Sequence, residues 1–500
     1  MQILSAKRIG SVSGLDIRSV AFFRILLGLF LLAELLFRIL ANFHDIYSPE
    51  TGVLGNCFAS GYASAYSVPP LIFDIDTDGQ MLVFMALYGS VLLTFTLGIL
   101  PRISAFFAVF MLWLLNTRYN VLYLGWEMYA SVLLFWSMLL PIGSSYSILV
   151  ARREKADALL EWRSPLAFAM MFQIAFIYFY NGISKNGDKW MSGHAVKFFL
   201  AEYDKMRPMA WHLIEMDGLL TLLTYATLAF EVLLPLIIFI PLWNDRFRLI
   251  AALSILLFHW SIDLVIDVGN FKYVGTSAAI LLLPGPFWDV LRLKALKPWR
   301  TLQVAPFEVN ALIKLATWFL AFTLVSIIVV SNLNQTLNTR TNDRVKQFLK
   351  WSNANGVIET VQASAWPQYS FFSQYWHLYS PDPPTQKGYL QVEAIKGNGD
   401  TLSVFSGRSV DSGLYVSAVQ QNLFQYLLLK GGRNKKEHIL EQCLLMREIQ
   451  LWNKHSKDEP LAKMELVVYD HRPQTAKEIT AKKPEFTRIA VKTFEVSYKK

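Results

Sequence analysis

The 500-residue chain is 54% hydrophobic and 14% aromatic but only 17% charged, which excludes an ordinary water-soluble enzyme. Its formal net charge of +9 implies no nucleic-acid partner, because Lys and Arg gather in short loops between long apolar runs. With only Cys57 and Cys443, a Cys-rich metal site or a disulfide framework is excluded too.

Apolar runs of about 20 residues, enough to cross a bilayer, recur over the first two thirds. They predict helices near 19–42, 80–100, 103–121, 127–147, 165–184, 218–241, 247–267, 271–286 and 309–331. The first follows Lys7, Arg8 and Arg18, is too long for a signal-peptide core and lacks a cleavage site, so it is read as uncleaved. The eighth is short and ends in Leu283-Pro284-Gly285-Pro286, which suggests a tilted or partly inserted helix. The fold class expected is a polytopic α-helical membrane bundle of about nine spans with a C-terminal extramembrane α+β domain.

Charge orients this bundle. Arg102, Arg152, Arg153, Lys155, Arg163, Arg246, Arg248, Arg292, Lys294, Lys297 and Arg300 fall in loops expected to be cytoplasmic, together with the N-terminus. The first outer loop, 43–79, has no Lys or Arg but carries Asp45, Glu50, Asp74, Asp76 and Asp78. The loop after the fifth helix breaks the bias with Lys185, Lys189, Lys197, Lys205 and Arg207, charges expected to serve chemistry or anionic ligands. A bacterial inner membrane is the expected location, with the C-terminal domain on the periplasmic side.

Beyond residue 332 the composition changes. The division expected is a transmembrane domain over 1–331, a linker and aromatic interfacial segment over 332–385, and an outer domain over 386–500. In the last, strands are predicted at 388–395, 401–406, 463–470 and 486–498, and helices near 411–430 and 435–455. Both cysteines then lie on the outer side. They could pair in an oxidising compartment, or be two unrelated thiols with Cys443 merely buried.

Polar groups within the apolar runs are few: Arg24, Glu34, Glu127, Gln173, Glu231 and His259. Intramembrane charges cost about 2.5–3.5 kcal/mol each on insertion scales, so they face partners or wet cavities. Arg24, Glu34, Gln173 and Glu231 are grouped as an intramembrane polar network, whose bland role is to fix helix register. His259, Asp263 and Asp267 share a helix face at i, i+4 and i+8, but no second His cluster supports a metal, and none is expected. His259 reads either as a proton-handling group near Lys185 or as a satisfied core histidine.

The fifth helix ends Tyr178-Phe-Tyr-Asn-Gly-Ile-Ser-Lys185, followed by Trp190. Burial disfavours an ammonium, so this amine could act as a base; a snorkelling interfacial lysine is the alternative. Tyr180, Gly182 and Trp190 are the expected pocket walls.

Five stretches together resemble the HTTM family, which includes the vitamin K-dependent gamma-glutamyl carboxylase. They are Ser19 to Gly28 with Glu34; Leu97-Gly-Ile-Leu-Pro-Arg102-Ile-Ser104; Leu134 to Gly143; Gly182-x-x-Lys185-x4-Trp190-x-x-Gly193; and Phe258-His259 followed by Gly269-x-Phe271-x-Tyr273-Val274. The resemblance covers about 15–290, with a further short piece from Tyr375 to Pro381. It implies that Lys185 is a base that deprotonates reduced vitamin K or a related quinol. Oxygen then adds, the resulting alkoxide takes the γ proton of a glutamate, and the carbanion captures carbon dioxide. His259 would position or carry protons. Ser184 stands where the family has a second lysine, and the tail is far smaller than the carboxylase's luminal portion. The second expectation, from another class, is therefore a non-enzymatic membrane partner that aids export or maturation of a secreted protein. The bilayer and a secreted protein or peptide are the partners expected.

Overall fold

The computed structural model describes residues 12–57, 59, 72–119, 122, 125–152, 160–200, 207–293, 300–303, 311–338, 374, 376, 378–383, 387–406, 438–455, 461–471 and 487–495. In chain order these form β1 (Gly14–Asp16), α1 (Ile17–Glu34), α2 (Asp78–Leu97), α3 (Pro101–Arg118), α4 (Gly125–Leu139), β2 (Leu149–Arg152) and β3 (Glu161–Arg163). Next come α5 (Pro165–Ser184), α6 (Asp188–Met191), α7 (Ala195–Leu200), α8 (Pro208–Leu213), α9 (Asp217–Phe239), α10 (Asn244–Val265), α11 (Phe271–Leu281) and α12 (Gly285–Val290). After β4 (Arg300–Gln303) and α13 (Ala311–Asn338), the tail holds β5 (Lys387–Lys396), β6 (Thr401–Ser406), α14 (His438–His455), β7 (Leu461–His471) and β8 (Thr487–Glu495).

Each of the nine predicted apolar runs contains a helix, but among the described residues six helices are long and apolar enough to cross a membrane: Ile17–Tyr47, Asp78–Leu97, Pro165–Ser184, Asp217–Phe239, Asn244–Val265 and Leu312–Leu333. At about 1.5 Å per residue, the 11-residue α11 and 15-residue α4 fall short of a hydrocarbon core about 30 Å thick. The helix predicted over 411–430, the loop cation Lys205 and most of the 332–385 linker lie outside the described residues.

Local chemistry sets the ends of the main helices. Asp16 caps α1 by accepting from the Arg18 amide at 2.8 Å. Thr77 and Gln80 form a reciprocal capping box at α2, which closes on left-handed Gly98. Ser164 accepts from the Leu166 amide at 3.2 Å at the head of α5, where Pro165 gives up an N–H the first turn leaves unbonded anyway. Trp126, Tyr129 and Trp136 of α4 are buried, whereas Leu222, Leu236, Leu257 and Phe322 are exposed on outward faces. A core of large aromatics with leucines outside suits a bundle solvated by lipid.

The tail strands form one antiparallel sheet in the order β6-β5-β7-β8. Cys57 and Cys443, 386 positions apart in the chain, are joined in a disulfide with Cα atoms 5.8 Å apart. Beside it Arg447 donates to the Thr51 carbonyl at 2.7 Å and faces Asp45 at 3.7 Å. The tail is therefore fastened to the loop that follows the first helix.

On the sheet, Glu465 accepts from Lys463 Nζ and Arg488 Nη2, each at 2.7 Å, and Arg488 also reaches Glu393 at 2.7 Å. Those hydrogen bonds hold the Glu465 carboxyl below the usual carboxylate range. Its contribution to stability is present above its unfolded-state pKa, about 4.3, and is lost as pH falls through the lower folded value. Glu465→Gln should remove part of the stability loss below about pH 4, read by acid titration of the full chain's thermal unfolding midpoint.

Candidate functional site

Lys185 is the first residue beyond the last turn of α5, with its amide turned back to the Gly182 carbonyl at 3.2 Å. Its side chain is 4% exposed, and Nζ lies 2.7 and 2.6 Å from the two carboxylate oxygens of Glu231, which is 1% exposed. The snorkelling alternative is thus not what the fold adopts. Glu231 belongs to α9, 46 residues along the chain. The approach depends on Gly182: a Cβ there would lie 2.9 Å from the Glu231 Cβ and 3.1 Å from Val232 Cγ2. Gly182 is a contact surface between helices rather than a pocket wall.

Asn181, one turn before Lys185, donates to Glu231 Oε1 at 2.9 Å and accepts from the Leu378 amide at 3.0 Å. The Trp190 ring lies 5.3 Å from Nζ, and its Nε1 donates to the Tyr379 carbonyl at 2.8 Å. Ser380 Oγ donates to the Ser184 carbonyl at 2.6 Å, the Gly187 amide to the Pro381 carbonyl at 3.0 Å, and the Lys189 amide to Asp382 at 2.9 Å. Residues 378–383 therefore form a strap across the end of α5. Deeper in the bundle, Gln173 and Gln374 exchange side-chain hydrogen bonds at 2.8 and 3.0 Å, and Trp376 Nε1 donates to Gln374 at 2.9 Å.

Three sequence expectations change. His259 is buried, and its Nε2 is 2.8 Å from the Tyr178 hydroxyl; no described hydrogen bond or ion pair joins it to Lys185. It stands as the satisfied core histidine, wedged against Phe258, Phe271 and Gly275. Tyr180 turns away from the lysine, donating to the Asn332 carbonyl of α13 at 2.9 Å and stacking on Phe176. The four intramembrane polar residues do not share one network. Arg24 binds the loop after α4 through the Ile142 carbonyl at 2.6 Å, Ser147 Oγ at 2.5 Å and the Tyr146 carbonyl. Glu34 pairs with Arg38, Gln173 with Gln374, and Glu231 with Lys185.

The other described cations of the loop are engaged as well. Lys189 donates to the Pro383 carbonyl at 3.0 Å, Lys197 to Asp217 at 2.5 Å and Arg207 to Asp263 at 3.0 Å. Asp263 also accepts from Lys272 at 2.6 Å, while Asp267 caps the Gly269 amide at 2.9 Å, so the His259 face is not one ligand set. Among the described residues no group of three or more His, Cys, Asp or Glu could hold a metal ion.

The residues beside Nζ do not fit a quinol in this conformation. Both Glu231 oxygens, both ends of the Asn181 amide and the Trp190 N–H already have partners within the protein.

A lipid-facing bundle that buries a lysine–carboxylate pair under a strap from its own tail defines a polytopic integral membrane protein with a buried ion pair at one helix end. The chain belongs to the HTTM domain family, the vitamin K-dependent carboxylase-like family, whose model matches residues 13–288, just over half of its length. That region holds Lys185, Glu231 and His259, while the strap lies beyond it. No curated protein and no solved structure matches the chain.

Removing one member of a buried ion pair strands the other, at a cost of about 3–5 kcal/mol, whereas apolar replacement of both is far milder. Lys185→Met should therefore lower stability strongly, and Lys185→Met with Glu231→Leu should recover most of it. Thermal unfolding in detergent checks the ordering.

Proposed function

We propose that the chain is a carboxylase-like membrane enzyme in which Lys185, with Glu231 as its proton partner, removes a proton from an acidic, membrane-soluble substrate. The observation that carries this reading is the 2.6–2.7 Å approach of Nζ to both Glu231 oxygens at a site nearly sealed from water. One proton shared between nitrogen and carboxylate leaves the ensemble neutral overall if it moves to oxygen, and Nζ then keeps a lone pair. Because the charge balance is internal, the lysine can work as a base in a dry setting without expelling an ion into lipid. The strap over 378–383 must shift to admit substrate. Reduced vitamin K or a related quinol, oxygen, carbon dioxide and a glutamate side chain are the reactants that family membership suggests.

The topology proposed keeps the odd count of the nine-span sequence reading, with the N-terminus cytoplasmic and the tail outside a bacterial inner membrane; the short α4 and α11 count as spans only together with the chain that flanks them. The disulfide supports the odd number. Cys57 and Cys443 must lie on one side, so the chain between them crosses an even number of times. Five of the six long helices lie between them, so crossing by one or all three of α3, α4 and α11 restores the parity. A disulfide also suits an oxidising outer compartment.

The test supplies membranes with a reduced quinone, bicarbonate and a glutamate-containing peptide, with mass spectrometry for the gain of one carboxyl group. Lys185→Ala and Glu231→Gln should each reduce product about 10²–10⁴-fold, the usual range for a positioned acid–base group. Unchanged turnover in Lys185→Ala would end the assignment. It would favour the scaffold reading, in which the disulfide-anchored sheet presents a surface to a secreted partner.

A further inference from the structure

Asn181 joins the buried ion pair to the strap through a single side chain, which is 9% exposed. Its Nδ2 donates to Glu231 Oε1 at 2.9 Å, and its Oδ1 accepts from the Leu378 amide at 3.0 Å. A backbone N–H can only donate, so the Leu378 amide must face the oxygen of the Asn181 side chain. The nitrogen is thereby turned toward Glu231. While residue 378 stays in place, Asn181 offers the carboxylate a donor and never an acceptor.

That orientation bears on the shared proton. Glu231 Oε1 accepts from both Asn181 and Lys185, and Oε2 accepts from Lys185. An N–H bonds more strongly to a charged oxygen than to a neutral one, so Asn181 favours the carboxylate and leaves the proton on Nζ. Neighbouring charges are otherwise engaged. The groups acting on Lys185 and Glu231 are each other and Asn181, with the Tyr178 hydroxyl in range of the carboxylate. Tyr178 is bonded to His259, Asp382 to the α6 amides and Lys189 to the Pro383 carbonyl, while Asp188 is exposed.

We infer that Asn181 is a positioning residue that couples the strap to the proton held between Lys185 and Glu231. With residues 378–383 seated, the amine is kept as an ammonium. When the strap lifts, Oδ1 loses the Leu378 N–H, and the amide turns to present that oxygen to Glu231. A carbonyl oxygen there is matched only by a donor, so the carboxyl takes the proton from Nζ. One N–H bond breaks, one O–H bond forms, and the nitrogen keeps the electron pair, with no charge leaving the site. The inference rests on the reading of Lys185 as a base: the movement that admits substrate also frees the amine to react.

Infrared spectroscopy of the full chain in detergent at neutral pH reads the C=O stretch of a protonated carboxyl, assigned to Glu231 by its loss in Glu231→Gln. The ratio of protonated to ionised Glu231 should rise about tenfold in Asn181→Leu, as expected for one lost hydrogen bond to a charged group. Leu378→Pro keeps Asn181 but removes the strap's N–H, and should move the ratio the same way. An equal band in the unmodified chain and in both variants would overturn the inference. If either variant does not fold, Ser380→Ala, which frees the strap from the Ser184 carbonyl, decides by the same band, and no change there overturns it too. The band is read without substrate, so it separates the coupling from the reaction. A raised ratio in a chain that forms no carboxylated product keeps the coupling and ends the base reading, whereas an unchanged ratio in an active chain ends the coupling alone.

Discussion

The contact between Lys185 and Glu231 is the constraint around which this end of the bundle is arranged. An ammonium or a carboxylate alone in a lipid-solvated interior is strongly unfavourable, so neither residue is tolerable without the other. Their meeting needs α5 and α9 almost in backbone contact, which Gly182 permits because it presents no side chain to Val232 and Glu231. It also needs shielding, which Asn181, Trp190 and the strap supply through hydrogen bonds that bind them to one another. Together these make a buried centre closed off by the protein's own side chains and backbone.

The remaining intramembrane polar groups follow a different logic. Arg24 is spent on backbone carbonyls and so shapes the turn after α4, next to Gly98, where a side chain would collide with Ser147. Gln173 receives Gln374 from the tail, and Tyr180 receives the α13 backbone. These bonds place the end of α13 and Gln374 against α5, and the strap lies across the end of the same helix. Polar residues in the bundle thus serve mostly as docking points for backbone that must be satisfied out of water.

The tail is held at three levels: by glutamine and tryptophan inside the bundle, by the strap at the end of α5, and by the disulfide to the first loop.

How much of this was legible beforehand depends on the range of the interactions. The nine helical runs, the four tail strands and the exposure of leucine to lipid follow from hydropathy and periodicity, which are local. Lys185 and Trp190 were visible as a lysine and an aromatic at the end of an apolar helix, and Asn181 could have been added from its i−4 spacing. The role of Glu231 was not visible, because a carboxylate 46 residues away on another helix has no register signal toward Lys185. The two readings of His259 could not be separated for the same reason: its helix face was clear, but its neighbour Tyr178 was not. The sequence by itself determined a membrane bundle with a lysine delivered from an apolar helix. Only the tertiary structure decided which charge that lysine meets and which segment covers it, because both come from elements whose distance in the chain says nothing about their distance in space.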